Sequence, residues 1–349
     1  MRILLFLILV AAMSIHCSSV FANSAPVVSS VTANQRGDDS KLVDIYYNLA
    51  DADSDNCTVW VFVSDDGGSS WRVPAWAFSG HVGQGVSPGS KHVTWDAATD
   101  VSGKIGSFKV RVYADDGNGT APKVLVPGGW FPYENTGNPD DWVYVDSFFI
   151  DKYEVTNQFY CQFLNAGGND DHWVLNQEIV RSGEGGNYLY SVEAGKENYP
   201  VRYVNIYDAG DFCTWRSDLE GMTYRLPTEY EWQKAAAWDP VEQYFYLYGF
   251  HSDSIGGSWC NYDNLVGTTT EVGHYNGTGG TNDAKSHYGC YDMSGNVWEW
   301  TGSGWLRGGH YVENASWVQT THRYDKSKPD YMDDRVSVLG FRCVMVVDE

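Results

Sequence analysis

The first third of the chain carries the two-residue alternation of apolar and polar positions that predicts β-strands. Its apolar segments are rich in β-branched and aromatic residues, and turn residues such as Asp-Gly separate them. These segments are Lys41–Tyr47, Cys57–Val63, His92–Asp96 and Phe108–Ala114. Strands at this spacing, with no helical segment between them, predict an all-β sandwich of the immunoglobulin or fibronectin type over residues 25–119.

From residue 120 onward the pattern becomes a mixture of short helices, short strands and loops. Trp142–Ile150 has the pattern of a strand, and apolar residues at helical spacing predict helices over Asn157–Asn165 and Ile206–Ser217. A third helix is predicted after Thr228, because a Thr followed three residues later by Glu231 is a capping box. The stretch between that helix and residue 285 has little periodicity. Residues 120–349 are therefore expected to form a second, loop-rich domain.

Charge and composition narrow the range of partners. The chain has 23 Lys and Arg residues against 45 Asp and Glu residues, a formal net charge of −22. A field of this sign repels nucleic acid and anionic membrane surfaces, so neither is expected as a partner. Aromatic residues make up 15% of the chain and Gly occurs 37 times, which is typical of loop-rich β architecture with rings in the interior.

The amino terminus has the three parts of a secretory signal peptide over residues 1–22. Arg2 is the positive start, Ile3–Met13 is apolar, and Val20-Phe21-Ala22 is a small-residue cleavage site. The apolar part is too short to cross a bilayer and no later stretch reaches about 18 apolar residues, so no membrane span is expected. Cys17 follows the large His16, which does not suit a lipoprotein signal. We therefore expect a secreted, periplasmic or cell-surface protein that is not a lipoprotein.

Six cysteines remain after this cleavage, and an exported chain with an even number of cysteines is a candidate for disulfide bonds. They are Cys57, Cys161, Cys213, Cys260, Cys290 and Cys343. No two of them have the Cys-x-x-Cys spacing of a zinc or redox site, and their spacing leaves the pairing open.

Tyr291–Thr301 combines two acids with a turn of small residues. The turn at Ser294-Gly295-Asn296 lets main-chain carbonyl groups point in the same direction as the side chains of Asp292 and Glu299. Carboxylates with carbonyl oxygens are the ligands that Ca²⁺ prefers. The same residues also suit an ordinary turn beside buried aromatic rings, so the local pattern alone leaves both interpretations open.

Several motifs of the second domain resemble those of one family. They are Phe149–Asn157, Pro200–Trp215, Tyr224–Trp232, Tyr291–Thr301, Arg307-Gly308-Gly309 and Gly340–Cys343. Over residues 124–347, and in the family's order, they resemble the sulfatase-modifying factor family, also called formylglycine-generating-enzyme-like. The resemblance implies a variant of the C-type lectin fold with few helices, short irregular strands and long loops. The expected fold class is α+β: a C-type-lectin-like domain that follows an N-terminal all-β sandwich.

The resemblance implies structural calcium in two places. The first set of ligands is the side chains of Asp292 and Glu299 with the carbonyl oxygens of Gly295 and Val297, and the second is Asn261 with the carbonyl oxygen of Tyr262. It also implies a disulfide bond between Cys213 and Cys343. Cys260 and Cys290 could then pair with each other, whereas Cys57 and Cys161 would bridge the two domains or stay free.

Formylglycine-generating enzymes oxidise a cysteine of an exported sulfatase through two cysteines that hold copper(I). The positions that the resemblance assigns to these cysteines carry Glu313 and Val318 here, and no cysteine lies between Cys290 and Cys343. Copper(I) is a soft ion that needs thiolate ligands, so copper is not expected and no catalytic residue is assigned.

Four residues of the carboxyl-terminal loops are candidates for a binding groove: His310, Glu313, Trp317 and His322. Rings flanked by polar groups suit a shallow site for a sugar or a peptide, although the same rings could be partly buried packing. His310, Glu313 and His322, together with Asp325, could alternatively hold iron or zinc.

The sequence therefore favours an exported, calcium-stabilised binding or accessory protein whose ligand is a protein or a glycan. The alternative is a formylglycine-generating or other oxidoreductase-type enzyme that acts on an exported sulfatase or a similar protein.

Overall fold

The structure is a computed structural model, and it describes residues 25–73, 75–101, 107–117, 121–167, 170–175, 177–326 and 332–347. The predicted signal peptide over residues 1–22, with Cys17, lies outside these ranges. Within them, no helix is long and apolar enough to cross a membrane.

The amino-terminal third consists of two antiparallel sheets. Its strands are β1 (Val27–Gln35), β2 (Leu42–Ala50), β3 (Cys57–Ser64), β4 (Phe78–Gly80), β5 (Gly83–Val86), β6 (Gly89–Asp96) and β7 (Lys109–Asp115), with one helical turn, α1 (Ala97–Asp100), after β6. The sheet orders are β1-β2-β6-β4 and β5-β3-β7. Buried residues of both sheets, among them Ile45, Val59 and Trp95, form one apolar cluster. Assignment of this unit to the immunoglobulin or fibronectin type stays a prediction.

The four strands predicted in this third are present as β2, β3, β6 and β7. Strand β1 has no counterpart in the sequence prediction, because none of its residues is buried and its apolar positions do not alternate. It pairs with β2 at the edge of the larger sheet, with a register shift between Ser29 and Thr32. Its assignment therefore depends on the neighbouring strand rather than on its own pattern.

The remainder of the chain has three longer helices and fourteen short strands among the described residues. The helices are α2 (Asn157–Asn165), α3 (Ile206–Glu220) and α4 (Glu229–Ala237). The strands are β8 (Lys123–Val126), β9 (Gly129–Pro132), β10 (Trp142–Val145), β11 (Phe148–Asp151), β12 (Ile179–Glu184), β13 (Asn187–Val192), β14 (Tyr224–Arg225), β15 (Trp238–Asp239), β16 (Tyr244–Phe245), β17 (Trp298–Trp300), β18 (Trp305–Arg307), β19 (Arg323–Asp325), β20 (Leu339–Gly340) and β21 (Val344–Val346).

Two four-stranded sheets organise this part, with orders β14-β21-β11-β8 and β19-β18-β17-β20. In the second sheet the pairing of β17 with β20 is parallel, whereas β17, β18 and β19 pair antiparallel. The pairs β9–β10, β12–β13 and β15–β16 form separate two-stranded ribbons. This arrangement of short strands, few helices and long loops agrees with the expected α+β, loop-rich architecture; the C-type-lectin label stays a prediction.

The three helices lie where the sequence predicts them. Helix α2 has the predicted bounds, and α3 begins at the predicted residue but continues three residues past Ser217. The capping box is present at α4: Thr228 Oγ1 accepts the N–H of Glu231, and a carboxylate oxygen of Glu231 accepts the N–H of Thr228. The single strand predicted over Trp142–Ile150 is instead two strands, β10 and β11, which belong to different sheets.

Aromatic rings join the amino-terminal sheets to the rest of the chain. The ring of Phe149, on β11, lies 4.9 Å from those of both Trp60 and Tyr113 and 6.0 Å from that of Phe62, which belong to β3 and β7. Phe149 is fully buried. Edge-to-face contacts of this kind each contribute about 0.5–1.5 kcal/mol beyond the buried area, so the two parts share a packed interface.

All six described cysteines are buried and carry no disulfide bond. The Sγ atoms of Cys213 and Cys343 lie 3.5 Å apart, so the pair implied by the family resemblance is adjacent in space. Cys260 and Cys290 belong to separate apolar clusters, as do Cys57 and Cys161. The disulfide pairings stay predictions.

Candidate binding groove and acidic cluster

The predicted groove residues lie on the loop that connects β18 to β19. Near the start of the loop, Gly309 has a left-handed φ of +74°; a Cβ atom there would lie 2.6 Å from Val318 Cγ1 and 2.8 Å from the carbonyl oxygen of Trp317. Only glycine fits this approach. Gly309 therefore packs against Trp317–Val318 across the loop, and the rings of His310 and His322 lie 6.5 and 6.0 Å from that of Trp298 on β17.

His310 and Glu313 form a polar pair at one end of the groove. His310 Nε2 lies 3.2 Å from Glu313 Oε1, and the N–H of Val312 donates to His310 Nδ1 over 3.2 Å. Because Nδ1 accepts that hydrogen bond, the imidazole is neutral and its Nε2–H donates to Glu313. Burial lowers the pKa of His310 to about 4 and raises the pKa of Glu313. By itself, the contact would raise the pKa of His310 and lower that of Glu313, which favours a charged pair. Both pKa values are shifted in the opposite direction, so the effect of burial is larger than that of the contact.

Aromatic rings form the other end of the groove. The rings of Trp317 and His322 lie 4.4 Å apart, and Trp298 of β17 lies 6.0 Å from His322 and 6.4 Å from Tyr324 of β19. Burial, followed by the charge of the Arg307 guanidinium, lowers the pKa of His322. Its Nε2 atom is buried and has no hydrogen-bond partner in the part of the chain that the structure describes. The two histidines are therefore uncharged at neutral pH.

The structure thus brings His310, Glu313, Trp317 and His322 together around Trp298. Val318, at the second position that the resemblance assigns to a copper ligand, is fully buried in an apolar cluster with Phe250 and Cys260. Among the described residues, His310, Glu313 and His322 do not converge to the separations of metal ligands. The alternative that these three residues hold iron or zinc has no support in this geometry.

The loop around Asn261 supports the groove from below. The N–H groups of Asp263 and Asn264 donate to the carbonyl oxygens of Glu313 and Tyr311, each over 2.7 Å. Both donors have left-handed backbones, with φ of 50° and 55°. Asn and Asp tolerate this conformation better than most residues. The segment that the resemblance links to a second calcium site is therefore also the main-chain support of the groove loop.

Glu299, a predicted calcium ligand, is fully buried and paired with Arg342. Arg342 Nε and Nη2 donate to the two carboxylate oxygens of Glu299 over 2.7 and 2.6 Å, and Trp232 Nε1 donates over 2.8 Å. Burial alone would lower the pKa of Arg342, but the Glu299 carboxylate raises it above its usual value. The role of Glu299 as a calcium ligand stays a prediction.

Two further carboxylates, Asp292 and Glu154, lie beside this pair, and neither forms an ion pair with a cation among the described residues. Burial raises the pKa of Asp292 to about 6, and burial together with the charges of Asp292 and Glu299 raises that of Glu154 well above its usual value. Asp292 Oδ2 accepts the N–H of Gly273 over 2.6 Å. With one guanidinium against three carboxylates, full ionisation would leave two uncompensated negative charges in the interior, which is costly. The cluster therefore needs protons or a cation.

Oxygen atoms that suit a hard cation are present at this place. Glu154 Oε1 and Asn261 Oδ1 are both buried and have no hydrogen-bond partner within the described residues. Gly295 lies against the same segment, since a Cβ atom on it would be 2.2 Å from the carbonyl oxygen of Asn261. Two orphaned oxygens beside surplus negative charge are the donor chemistry that a calcium ion accepts, and the calcium ligands stay a prediction.

A separate cavity of about 1010 Å³ opens beside α3, between Tyr207, Tyr230 and Trp305. None of the four predicted groove residues lines it. Arg323 of β19 lines the cavity and lies over the ring of Trp305, whereas its neighbour Tyr324 faces Trp298 and Trp317. The cavity and the groove are therefore on opposite sides of the same strand.

Sequence reasoning missed the roles of Trp298, Glu154 and Arg342. All three lie inside the motifs that carry the family resemblance, but nothing in their local pattern says what they contact. The role of Asn296 could have been suspected from the sequence. Its side chain donates a hydrogen bond to Glu154 over 2.9 Å and accepts the N–H of Thr270 over 2.9 Å. A buried Asn in a turn between two acids is a signal of such a network.

Three relatives show the range of proteins to which the chain is similar. Hercynine oxygenase of Mycolicibacterium smegmatis is 29% identical over 204 residues, which cover 52% of this chain and 45% of the relative. The formylglycine-generating enzyme of Thermomonospora curvata is 28% identical over 262 residues, covering 63% and 82%. The inactive C-alpha-formylglycine-generating enzyme 2 of Mus musculus is 32% identical over 163 residues, covering 42% and 49%. The chain thus spans less than half the length of the first and third of these relatives.

The solved structure of CarF matches with a TM-score of 0.50 and 21% identity, and covers 65% of this chain and 99% of that chain. This likeness concerns the fold alone. A family model described as the sulfatase-modifying factor enzyme 1-like domain matches residues 111–347. The matched residues contain every strand from β8 to β21, the groove loop and the acidic cluster, and they make up more than half of the chain. The chain therefore belongs to the sulfatase-modifying factor enzyme 1-like family.

Proposed function

We propose that this protein is a binding protein of its family rather than a copper oxidase. The observation that carries the proposal is the chemistry at the two positions that the resemblance assigns to copper thiolates. Glu313 is hydrogen-bonded to His310, and Val318 is fully buried among apolar side chains. Neither residue supplies a thiolate, and a buried valine has no ligand atom at all. A relative that carries the word inactive in its name supports the loss of this activity within the family.

The groove suits a ligand with a flat apolar face and polar edges, such as a sugar ring. Trp317 and Tyr324 lie 6.4 Å apart, and Tyr324 is 44% exposed. His310, which is neutral, and Glu313, whose pKa burial raises, lie beside them and offer hydrogen bonds without a cationic group. Rigid rings with adjacent polar groups provide contact area at a small entropic cost. We therefore favour a neutral glycan over an anionic ligand.

A glycan array with the full chain tests this proposal. We expect binding to a defined set of glycans, lost in Trp317→Ala and in Tyr324→Ala and kept in Trp76→Ala, which removes an exposed ring from the amino-terminal part of the chain. Each ring contributes about 1–3 kcal/mol at a binding hot spot, a loss of roughly 5- to 150-fold in affinity. Absence of any glycan binding, or equal loss in all three variants, contradicts the proposal.

The alternative function is oxidation of a cysteine in an exported sulfatase. The active relative from Thermomonospora curvata is the reason to keep it. Incubation of the protein with copper and a cysteine-containing sulfatase peptide distinguishes the two functions. We expect no change in the peptide mass; conversion of the thiol to an aldehyde would establish the enzyme and contradict the binding-protein proposal.

We also propose that calcium stabilises the acidic cluster. Glu154, Asp292 and Asn261, with the carbonyl oxygens of Gly295, Val297 and Tyr262, are the ligands that we favour. The support is the uncompensated charge and the two orphaned oxygens described above. An ion at one hundred times its dissociation constant stabilises the folded state by about 2.7 kcal/mol.

Thermal unfolding with calcium and with a chelator tests the calcium proposal. We expect calcium to raise the Tm of the wild type but not that of Asp292→Asn or Glu154→Gln. In chelator, Glu154→Gln should be more stable than the wild type, because without calcium Glu154 must either take up a proton or stay charged in the interior, and Gln carries neither cost. Asp283→Asn, at a part-exposed acid outside the cluster, is the control. No calcium-dependent shift in the wild type would refute the site.

Export and domain type are further parts of the proposal. The signal-like residues 1–22 and the acidic charge support export into the periplasm or medium, and mass analysis of the exported product should place its first residue at Asn23. A product that retains Met1 contradicts cleavage.

We propose that the two amino-terminal sheets are an immunoglobulin or fibronectin-like module that docks the second domain through Phe149.

A further inference from the structure

Three metal-ligating side chains meet at a place far in sequence from the groove loop. Asp239 ends β15, His251 lies in the turn after β16, and His287 lies in the turn that precedes Cys290. One ligand atom from each lies within 4.8 Å of the other two. Neither the groove nor the acidic cluster uses these residues.

The carboxylate of Asp239 is a fixed anchor for this cluster. Its side chain is only 4% exposed. Its Oδ1 accepts the N–H groups of Val241 and Glu242 over 2.7 and 3.0 Å, so the direction of Oδ2 is set by the backbone. Oδ2 then lies 2.7 Å from His251 Nε2 and 3.0 Å from His287 Nδ1. Two imidazoles thus converge on one preorganised carboxylate oxygen.

Neighbouring rings hold the two imidazoles in place. The ring of Tyr246 lies 4.2 Å from that of His251, and the ring of Tyr288 lies 5.0 Å from that of His287. The imidazole centroids are 5.9 Å apart at 46°, so the rings approach Oδ2 from different directions. His251 also adopts a left-handed backbone, with φ of 59°, an uncommon conformation for a residue other than glycine. The folded chain therefore holds His251 against Asp239 in a backbone conformation that costs free energy.

We propose that Asp239, His251 and His287 form a binding site for one divalent transition-metal ion of the zinc type. Two imidazoles and one carboxylate are ligands that Zn²⁺ accepts, with bonds of about 2.0–2.2 Å and tetrahedral neighbours about 3.3–3.5 Å apart. The contacts of His251 and His287 to Oδ2, now 2.7 and 3.0 Å, must therefore lengthen by roughly 0.3–0.8 Å. The imidazoles allow this movement because they are 37% and 27% exposed.

The exposed side of the cluster leaves a fourth position for water. Three protein ligands with one open position are the arrangement of zinc sites that carry an exchangeable ligand. Each imidazole nitrogen that faces Oδ2 must present its lone pair to the metal, so a neutral ring changes tautomer and a charged ring releases a proton. No redox partner is needed. The site differs in kind from the acidic cluster, where all the candidate ligands are oxygens, and it does not depend on the proposed binding function.

Zinc binding by the full chain without an affinity tag tests the proposal. After removal of metals with a chelator and dialysis, titration with Zn²⁺ alone should show one site in the wild type and a rise in Tm. We expect the double variant His251→Gln/His287→Gln to lose at least about tenfold in zinc affinity, together with the rise in Tm. Asp239→Asn should do the same. His274→Gln, at an exposed histidine outside the cluster, should bind as the wild type does.

Two outcomes would overturn the site. One is a wild type that binds no zinc, which would make the cluster a hydrogen-bonded tie between three segments. The other is a double variant that binds zinc with unchanged stoichiometry and affinity, which would assign the zinc to other residues. If Asp239→Asn fails to fold, the double variant decides the question, since both histidines are part-exposed. When Ca²⁺ replaces Zn²⁺, any change in Tm should be the same in the wild type and in the double variant.

Discussion

Replacement of Arg342 by Met should destabilise the second domain more than any surface substitution. Arg342 and Glu299 are both fully buried, and the guanidinium donates two hydrogen bonds to the carboxylate. It also donates to the carbonyl oxygens of Asp151, Lys152 and Tyr291 over 2.9–3.3 Å. Methionine has a similar length but no donor, so Glu299 would keep only the hydrogen bond from Trp232 Nε1.

The size of the effect follows from the charge that is left behind. Removal of one partner of a buried ion pair costs about 3–5 kcal/mol, because the other charge stays buried and uncompensated. Here the uncompensated charge would also face Glu154 and Asp292, which adds repulsion. For a domain of this size, a loss of 3–5 kcal/mol lowers the Tm by roughly 6–20 °C.

Thermal and urea unfolding followed by circular dichroism measure this loss. The double variant Arg342→Met/Glu299→Gln should recover part of it, since it removes the stranded charge as well. Lys41→Met, at an exposed ion pair with Asp39, should change the stability little. A loss below about 1 kcal/mol for Arg342→Met, or a double variant no more stable than the single one, would refute the electrostatic reasoning.

Three further predictions concern local features. Because burial lowers the pKa of His310 to about 4, the folded state binds its proton less readily than the unfolded chain does; the stability is complete above pH 6.5 and about 1–3 kcal/mol is lost as the pH falls towards 4. His310→Gln should remove this part of the pH dependence, and an unchanged profile contradicts it. Gly295→Ala should cost at least about 1–3 kcal/mol in chemical denaturation, because its Cβ would lie 2.2 Å from the carbonyl oxygen of Asn261. Gly267→Ala has a similar φ but open space around it, so an equal loss in both would show that the clash is irrelevant. Thr228→Ala should cost about 0.5–2 kcal/mol through loss of the helix cap, whereas Thr228→Ser should restore it; identical melting of the two would argue against capping.

The sequence predicted the helices of the second domain well because their signals are local. The cap at Thr228 and the apolar spacing of Ile206–Ser217 act over a few residues, and both are present as expected. The sequence prediction ended α3 too early, at Ser217. The helix continues to Glu220, and Gly221, in a left-handed conformation with φ of 66°, ends it. Strand β1 was missed because an edge strand without buried residues has no alternation to detect.

The groove residues could be named from the polar and aromatic character of the carboxyl-terminal loops, but their chemistry could not. The sequence placed His310, Glu313, Trp317 and His322 on one loop. Only the folded chain shows that His310 and His322 are uncharged, because burial decides the pKa of each imidazole. Burial depends on Trp298, which belongs to a different strand and approaches the loop only in the tertiary structure.

By itself, the sequence determined the classes of structure and chemistry that were possible. Its acidic charge, its missing thiolates at Glu313 and Val318, and its turn between Asp292 and Glu299 are properties of residue types at fixed spacing. The tertiary structure decided which charges face one another. Arg342 lies 43 residues from Glu299, and Asn296 lies 142 residues from its partner Glu154. Asp239 similarly meets His287 across two loops. Pairings at such distances follow from the packing of the whole chain, because electrostatic energy depends on separation in space and on burial, and no local pattern contains either quantity.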